Sequence, residues 1–475
     1  MASYEGWIAN HNAPNFYGTV CIDDQTGIIE KIILTPPNQG DKGCQELPKK
    51  RHIKFPKGAI IYPGFIDLHT HAREDKTQQE TYKENYQSIS KAALHGGVAA
   101  IGVMPNTPCP LTNQKELTWH RKKIDSLKSP ISIFNYIAIA PDSKPIEGEH
   151  HYKLFVGPTI GSLFFTSAKE IENTLQHYQG QTISFHVEDY QVINDNQQQL
   201  THQLRRPAKA VLTALDYMLE LVEKYKINAT FCHWPIAGES LAKIALYQKK
   251  IYPASTIKLE VTPTHLLFDA DMISQNASLA PYLQLNPALQ TPADRQGLIK
   301  ALKNGLIDFL ATDHAPHLIA EKLKNFSKFK QRYPKLDNEQ IFRQLKKDDF
   351  ALWKSVASLD GTSGVSWLDT FYLVVYMLKE RHNFSDQDIA RIAAYNPGQH
   401  LNKFLKSQYP TKDFGKGLGK VATGYYGCLS VINYDKSTTL SRENIFSKSG
   451  WSLLEGKKFN ASLEAVVLGN YLFYP

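Results

Sequence analysis

The chain has 475 residues, 42% of them apolar and 21% charged, with 54 Lys and Arg against 46 Asp and Glu for a net charge of +8. These totals describe a soluble globular protein with room for one α/β barrel of ~250 residues or more and a smaller accessory domain, and they exclude collagen-like, disordered and membrane-spanning classes. The modest positive balance reads as a soluble surface or a mild attraction for anionic substrates.

Five cysteines, Cys21, Cys44, Cys109, Cys232 and Cys428, lie far apart and form no CxxC pair. Neither a disulfide framework nor a cysteine zinc site is therefore expected, and a metal would have to use His, Asp or Glu. Met1 to Gly18 lack the basic start and apolar run of a secretory signal, so the expected location is cytoplasmic, with no membrane association.

In chain order, Trp7 to Phe55 is a series of short alternating segments broken by Gly, Asn and Asp, the pattern of antiparallel strands. From about residue 59 to residue 312, apolar β-branched runs alternate with longer amphipathic runs, which predicts repeated βα units and a parallel sheet. The strand candidates are Ala59 to His69, Val98 to Met104, Ile131 to Ala138, Tyr152 to Val156, Thr182 to His186, Ala229 to His233, Ile257 to Val261 and Ile307 to Thr312. Between them, Glu80 to His95 reads as a helix stopped by Gly96-Gly97, and Ser167-Ala168-Lys169-Glu170 has the form of a capping box. Eight strands favour a closed (β/α)8 TIM barrel over an open sheet.

Lys322 to Ser358 is longer than an ordinary βα connection. Its apolar residues Phe326, Phe329, Tyr333, Leu336, Ile341, Phe342 and Leu345 are spaced for at least one amphipathic helix, which would cover the barrel rim beside the site or a neighbouring subunit. Its Lys and Arg content leaves nucleic-acid binding as a minor alternative, and no nucleic-acid partner is expected. Gly419 to Tyr474 returns to short alternating segments. The expected organisation is thus a small β-sandwich domain shared by residues 1–58 and 401–475, around a barrel of residues 59–400 with an insertion at about 322–358.

The first strand ends in His69-Thr70-His71-Ala72-Arg73, and an HxH pair on an extended strand turns both imidazoles to one side, where they can chelate a cation. Lys153 in the fourth strand, His186 closing the fifth, His233 closing the sixth and Asp313 after the eighth fall at strand ends too. In a barrel those ends converge on the catalytic face. Only 17 residues are His, and scattered core histidines would show no such register. An ammonium has no lone pair, so Lys153 can serve as a ligand only if modified. A desolvated lysine amine can add carbon dioxide, and the carbamate could bridge two metals roughly 3.5–4 Å apart. Alternatively, a strand lysine is an ion-pair partner.

These segments resemble the dihydroorotases of the amidohydrolase superfamily over nearly the whole chain. Beside His69 to Arg73, the matching motifs are Met104-Pro105-Asn106-Thr107, Lys153-Leu154-Phe155-Val156-Gly157, Phe185-His186-Val187-Glu188-Asp189, and His233 with Ala237-Gly238-Glu239-Ser240-Leu241. Glu260-Val261-Thr262-Pro263-Thr264-His265, Asn286-Pro287-Ala288-Leu289 and Ala311-Thr312-Asp313-His314-Ala315-Pro316-His317 complete the set.

The resemblance implies two zinc ions per subunit: His69, His71 and Asp313 on one, His186 and His233 on the other, and Lys153 carboxylated by carbon dioxide between them. It implies Asp313 as the acid–base residue and Arg73, Asn106, Asn286 and His317 as substrate contacts. The substrate implied is dihydroorotate, in reversible exchange with N-carbamoyl-L-aspartate, and a homo-oligomer is compatible with it. Arg73 shares the strand parity of the two histidines and offers a rigid fork for a carboxylate. Relatives acting on hydantoins, dihydropyrimidines or allantoin generally lack an Arg there. An Arg73 paired with Glu74 or Asp75 is the structural alternative.

The chain departs from the family at Asn286-Pro287-Ala288-Leu289-Gln290, where relatives commonly read NPPLR, and at Asp75-Lys76, where they commonly read Pro-Gly. Asp360-Gly361-Thr362-Ser363-Gly364 is the candidate substrate loop. A different cyclic amide hydrolase, or a scaffold relative that has lost catalysis, are the rival readings; the filled ligand positions count against the second.

Overall fold

The computed structural model describes residues 1–35, 51–158, 163–359 and 361–475; Cys44, Asp360 and residues 36–50 of the N-terminal region lie outside the described residues. Phe65–Thr70 pairs in parallel with Val98–Val103, and that strand with Ser132–Asn135. Past Tyr136 the third strand continues as Ile137–Ile139, which pairs with His151–Phe155. The order then runs in parallel through Thr182–His186, Asn228–Phe231 and Ile257–Val261 to Phe309–Leu310. The ring closes where Thr70 bridges His314, with His71 N–H donating to the His314 carbonyl at 2.8 Å. Below this, the Asp67 carboxylate accepts from the Thr312 N–H at 2.9 Å and from its hydroxyl. A (β/α)8 barrel results, with its helices packed on the outside over one continuous apolar core.

Three local expectations change. The run from Ala59 to His69 is not one strand but two: Ala59–Pro63 belongs to the sheet of the termini and Phe65–Thr70 to the barrel. The break is at Gly64, where an added Cβ would lie 2.7 Å from the Cβ atoms of Ala99 and Cys428, so only glycine lets the chain cross between the layers. The first helix starts not at Glu80 but at Tyr86, capped by Asn85. Glu84, which a longer helix would have used on its surface, instead turns inward and accepts from His314 Nε2 at 3.2 Å and Ser447 Oγ at 2.6 Å. At Ser167 only half of the expected capping box forms: its side chain accepts from Glu170 N–H, while the Glu170 carboxylate takes the N–H and hydroxyl of Thr166.

Both termini build one mixed sheet. Its order is Tyr471–Phe473, Ser462–Leu468, Cys428–Asn433, Ala59–Pro63, Ala2–Asn10, Ala13–Ile22 and Ile29–Leu34, with Arg51–Lys54 added beside Ala2–Asn10. Ala59–Pro63 is the strand that joins the N-terminal and C-terminal halves. Inward residues such as Tyr4, Val20, Ile61, Leu429 and Val467 form an apolar core separate from that of the barrel.

The insertion folds as a unit of its own. A 3₁₀ turn at Lys324–Phe329 precedes the helices Asn338–Asp348 and Phe350–Ala357. Leu323, Phe326, Ile341, Phe342, Leu345, Trp353, Val356 and Ala357 bury one another, with Ala277 and Tyr282 of the barrel rim packed alongside. Of the two surfaces the spacing allowed, these helices cover the rim. Because Phe342 stands at the centre of this small core, Phe342→Ala is expected to cost about 3–5 kcal/mol locally. Hydrogen exchange within residues 322–358 should rise steeply while bound metal is unchanged, and a loss of metal would show that the insertion and the barrel share one core.

Candidate metal centre

The barrel brings every candidate residue to one place. His69, His71, Arg73, Asn106, His186, His233, Asn286, Asp313 and His317 line a single cavity of about 340 Å³, together with Phe155, Pro158, Ala315 and residues 362–364. Lys153 is fully buried in the fourth strand between His151 and Phe155, and its charge acts on His69, His186, His233 and Asp313. A larger groove, about 690 Å³, lies between the terminal sheet and the helix Phe371–His382 and contains none of these residues.

Three of the residues reach the cavity by a route that strand parity did not foresee. The first strand ends at Thr70 and the sixth at Phe231, so Arg73 and His233, like Asp313, stand beyond their strands. Each takes a left-handed backbone, with φ of 55° at Arg73, 39° at His233 and 47° at Asp313. Such conformations cost roughly 1–3 kcal/mol apiece in non-glycine residues and cluster where a side chain must be aimed. Alternation along a continued strand would also have turned Arg73 to the side of His69 and His71, but the strand ends at Thr70, and the left-handed backbone aims Arg73 at the cavity in its place.

The Asp313 carboxylate is the meeting point of one group, with Oδ1 3.3 Å from His69 Nε2 and 3.0 Å from His71 Nε2. Opposite them His186 Nδ1 lies 3.1 Å from His233 Nε2. Acceptors behind the rings set the tautomers. His69 Nδ1 donates to Glu260 Oε1 at 2.7 Å, His71 Nδ1 to Asn106 Oδ1 at 2.8 Å and His186 Nε2 to Glu188 Oε2 at 2.9 Å. The other nitrogen of His71 and of His186 therefore directs a lone pair at the cavity, and that of His69 does so once its ring is neutral. His233 Nδ1 is buried without a partner among the described residues.

Burial holds His71 at about 3, against the pull of Asp313, and keeps His186 and His233 below the ordinary histidine range as well. These imidazoles are neutral at physiological pH. Burial opposes ionisation of His69 too, but the Glu260 and Asp313 carboxylates beside it override this and raise it to about 10. Burial likewise works against an ionised Asp313, yet His69 and His71 hold it below the usual carboxylate range. Neutral imidazole nitrogens converging on an anionic carboxylate, with one ring holding a proton between two carboxylates, form a donor set suited to divalent cations. Lys153 Nζ has a single polar contact, Cys232 Sγ at 3.0 Å, and no ion pair with a carboxylate among the described residues, which leaves the ion-pair alternative unrealised.

The substrate side is equally defined. Arg73 pairs with neither Glu74 nor Asp75. Glu74 accepts from Tyr86 N–H and meets Lys123, and Asp75 accepts from Thr77 and Cys109. The buried guanidinium donates instead to His317 Nε2 at 3.3 Å, and its Nε has no partner among the described residues. Asn286 accepts from Ser363 Oγ at 3.2 Å. Asn106 has a role beyond the cavity wall, since its oxygen orients His71.

Glu260, Glu188 and Cys232 were not singled out from the sequence. A carboxylate fully buried in the strand Ile257–Val261, whose other charged residue, Lys258, is only partly buried and pairs with Asp308, was the available signal, because a buried charge needs a partner. Glu188 stands two residues from His186, and that spacing was the corresponding clue.

Comparison with known proteins agrees with this architecture. Residues 60–147 match the model of the amidohydrolase family. A dihydroorotase of Pyrococcus furiosus is 26% identical over 442 residues, covering 92% of this chain and 84% of its own length. A dihydroorotase of Thermococcus kodakarensis is 27% identical, with 87% and 83% covered. Among solved structures, the L-hydantoinase (dihydropyrimidinase) of Arthrobacter aurescens superposes with a TM-score of 0.78 at 16% identity, over 99% of this chain and 95% of that one. The D-hydantoinase (dihydropyrimidinase) of a Thermus species gives 0.75 at 18% identity, over 99% and 95%. The amidohydrolase family domain at residues 60–147, the dihydroorotase relatives and the barrel fold shared with the hydantoinases together support a metal-dependent cyclic amide hydrolase.

Proposed function

We propose that this hydrolase is a dihydroorotase, opening the cyclic amide of (S)-dihydroorotate to N-carbamoyl-L-aspartate and closing it in reverse during de novo pyrimidine synthesis in the cytoplasm. The observation that carries this reading is Arg73, a guanidinium buried in the cavity wall that makes no ion pair with a carboxylate among the described residues, although Glu80, Asp313, Glu321 and Glu84 act on it from a distance. A substrate carboxylate would supply a direct partner, and the planar fork suits that geometry. Dihydroorotate carries such a group, whereas a simple hydantoin or dihydropyrimidine ring does not.

Two zinc ions per subunit are the proposed cofactors, with His69, His71 and Asp313 holding one and His186 and His233 the other. Lys153, carboxylated by carbon dioxide, would join them; its burial without an ion pair to a carboxylate among the described residues supports this reading. When bound, the metals would acidify the attacking water and polarise the ring carbonyl. Asp313, next to both His69 and His71, takes the proton of that water and returns it to the departing ring nitrogen. Arg73 and His317 hold the carboxylate, and Asn106 and Asn286 fix the ring. In this scheme residues 59–400 carry the chemistry, and residues 1–58 and 401–475 form the accessory domain.

The decisive assay offers dihydroorotate, hydantoin, dihydrouracil and allantoin to one preparation of measured metal content. Dihydroorotate should be preferred, and Arg73→Ala should lose about 2–5 kcal/mol, roughly 30-fold or more in kcat/KM, on that substrate alone. Preference for an uncharged ring would move the protein to another cyclic amide hydrolase, and inactivity with full metal would favour the scaffold reading.

Asp313→Asn should reduce kcat by ~10²–10⁴-fold or more; retention of most activity would assign the proton transfer to another group. Lys153→Ala should lose metal and turnover together, with partial recovery in short carboxylic acids, and a variant that turned over like the parent would exclude the bridge. Zinc uptake should tighten as pH rises from 6 to 9, because the proton that Glu260 and Asp313 hold on His69 must leave for metal to bind. Calorimetry in buffers of different ionisation enthalpy reads that proton directly, and uptake independent of pH would contradict the assignment of His69.

A further inference from the structure

Residues 362–364 line the cavity beside Asn286, and their own side chains reach out twice, from the Thr362 hydroxyl to the Glu321 carbonyl at 3.1 Å and from Ser363 Oγ to Asn286 Oδ1 at 3.2 Å. The loop is tied to the segment before Asn286: Gly361 N–H donates to Gln284 Oε1 at 2.6 Å, Gly364 N–H to the Gln284 carbonyl at 2.9 Å, and Gln284 Nε2 to Ser363 Oγ at 3.2 Å. Behind both segments stands Lys322, only 1% exposed. Its ammonium donates to the carbonyl oxygens of Thr362 and Gly364, each at 2.8 Å, and of Gln284 at 3.2 Å. All three donors of the group are thereby used on main chain.

Keeping a charge here is costly, since a buried ammonium must replace its hydration in full. No carboxylate pairs with Lys322 among the described residues; the neighbouring Glu321 is occupied with His317, Lys83 and Leu318 N–H. The Trp451 indole, 5.8 Å from Nζ, lends its π face, and burial brings the lysine down to about 7. An unbranched apolar side chain would fill the same space without this penalty. What it could not do is bind two separate stretches of backbone to one point.

Lys322 also stands at the foot of the insertion. Its bond to Gly364 joins residues 42 apart, so the helices between them leave and return at a fixed point. Gly361 is pressed against that foot, with an added Cβ lying 2.7 Å from the Lys322 carbonyl. Gly364, at φ 139°, lies so close to Ala315 and His317 that a side chain would collide with both. The loop therefore has room for one arrangement while the clamp holds.

We infer that Lys322 is a positioning residue for substrate recognition: its ammonium ties residues 362–364 to Gln284, holding Ser363 and Asn286 at the cavity wall and isolating the site from motion of the insertion. This extends the proposed function, but the clamp itself does not depend on which cyclic amide is hydrolysed.

The test is Lys322→Met in the metal-loaded protein, with Lys322→Gln, which keeps two donors, as the conservative partner. Exchange of the Gly361 and Gly364 amides should quicken about tenfold or more in Lys322→Met and less in Lys322→Gln, with metal content unchanged. On whichever ring the parent hydrolyses, KM should rise about tenfold while kcat changes less than about threefold, the pattern of lost ground-state binding. Unchanged exchange at both glycines, or a fall in kcat and metal content at constant KM, would overturn the inference. Should Lys322→Met fail to fold, the same criteria apply to Lys322→Gln. If the parent hydrolyses none of the four rings, the exchange measurement still decides the clamp, so its failure and that of the proposed substrate remain separable.

Discussion

The structure depends on how the barrel is closed between its first and last strands. Phe309–Leu310 is too short to complete a ladder with Phe65–Thr70, and the joint is made by side chains and by backbone just beyond both strands. Asp67 supplies the side-chain part, accepting from Thr312 N–H, the Thr312 hydroxyl and His69 N–H. His314 supplies the backbone part through Thr70 and His71. Because the same few residues close the ring and carry His69, His71 and Asp313, closure and assembly of this half of the donor set are one event. Burial raises Asp67 to about 6, against the hydrogen bonds it accepts from Thr312, which is the cost of placing a carboxylate in that joint.

Charge inside the barrel is arranged in pairs that would be unfavourable singly. Glu260 stands behind His69, and Glu188 stands behind His186 and is itself met by Arg206. An unpaired carboxylate at either place would be several kcal/mol too costly to keep. Paired, each fixes a ring and raises its basicity, and groups of this kind typically change metal affinity by roughly 10–100-fold. The energy of the barrel core is thus spent on orientation at the top of the strands, while lower layers such as His151 with Ser184 and His400 only have to be satisfied.

Recognition is built from segments that are distant in sequence and share no secondary structure. Trp451, from the C-terminal region, donates to the His317 carbonyl, Glu84 joins His314 to Ser447, and Lys322 joins two loops. These bonds explain how a helical insertion of its own core can be carried at the mouth of a site whose walls must stay within fractions of an ångström. They also give the C-terminal region a part in the site, since Ser447 and Trp451 reach its supporting network from there.

The sequence alone determined the eight-strand period, the sharing of a sheet by both termini, and the set of His, Asp, Arg and Asn residues that now line one cavity. It could do so because period and strand-end register are local properties, readable from alternation and spacing. The split at Gly64, the late start of the first helix and the left-handed backbone by which Arg73 reaches the cavity were not legible. Each is decided by a contact from far along the chain, with Cys428 at Gly64 and His314 and Ser447 at Glu84, or by a left-handed backbone that no residue type announces. The same holds for Glu260 behind His69, 191 residues away, and for the clamp at Lys322. A buried charge in a sequence declares that it needs a partner; only the folded chain names which one, because the partner is chosen by proximity in space.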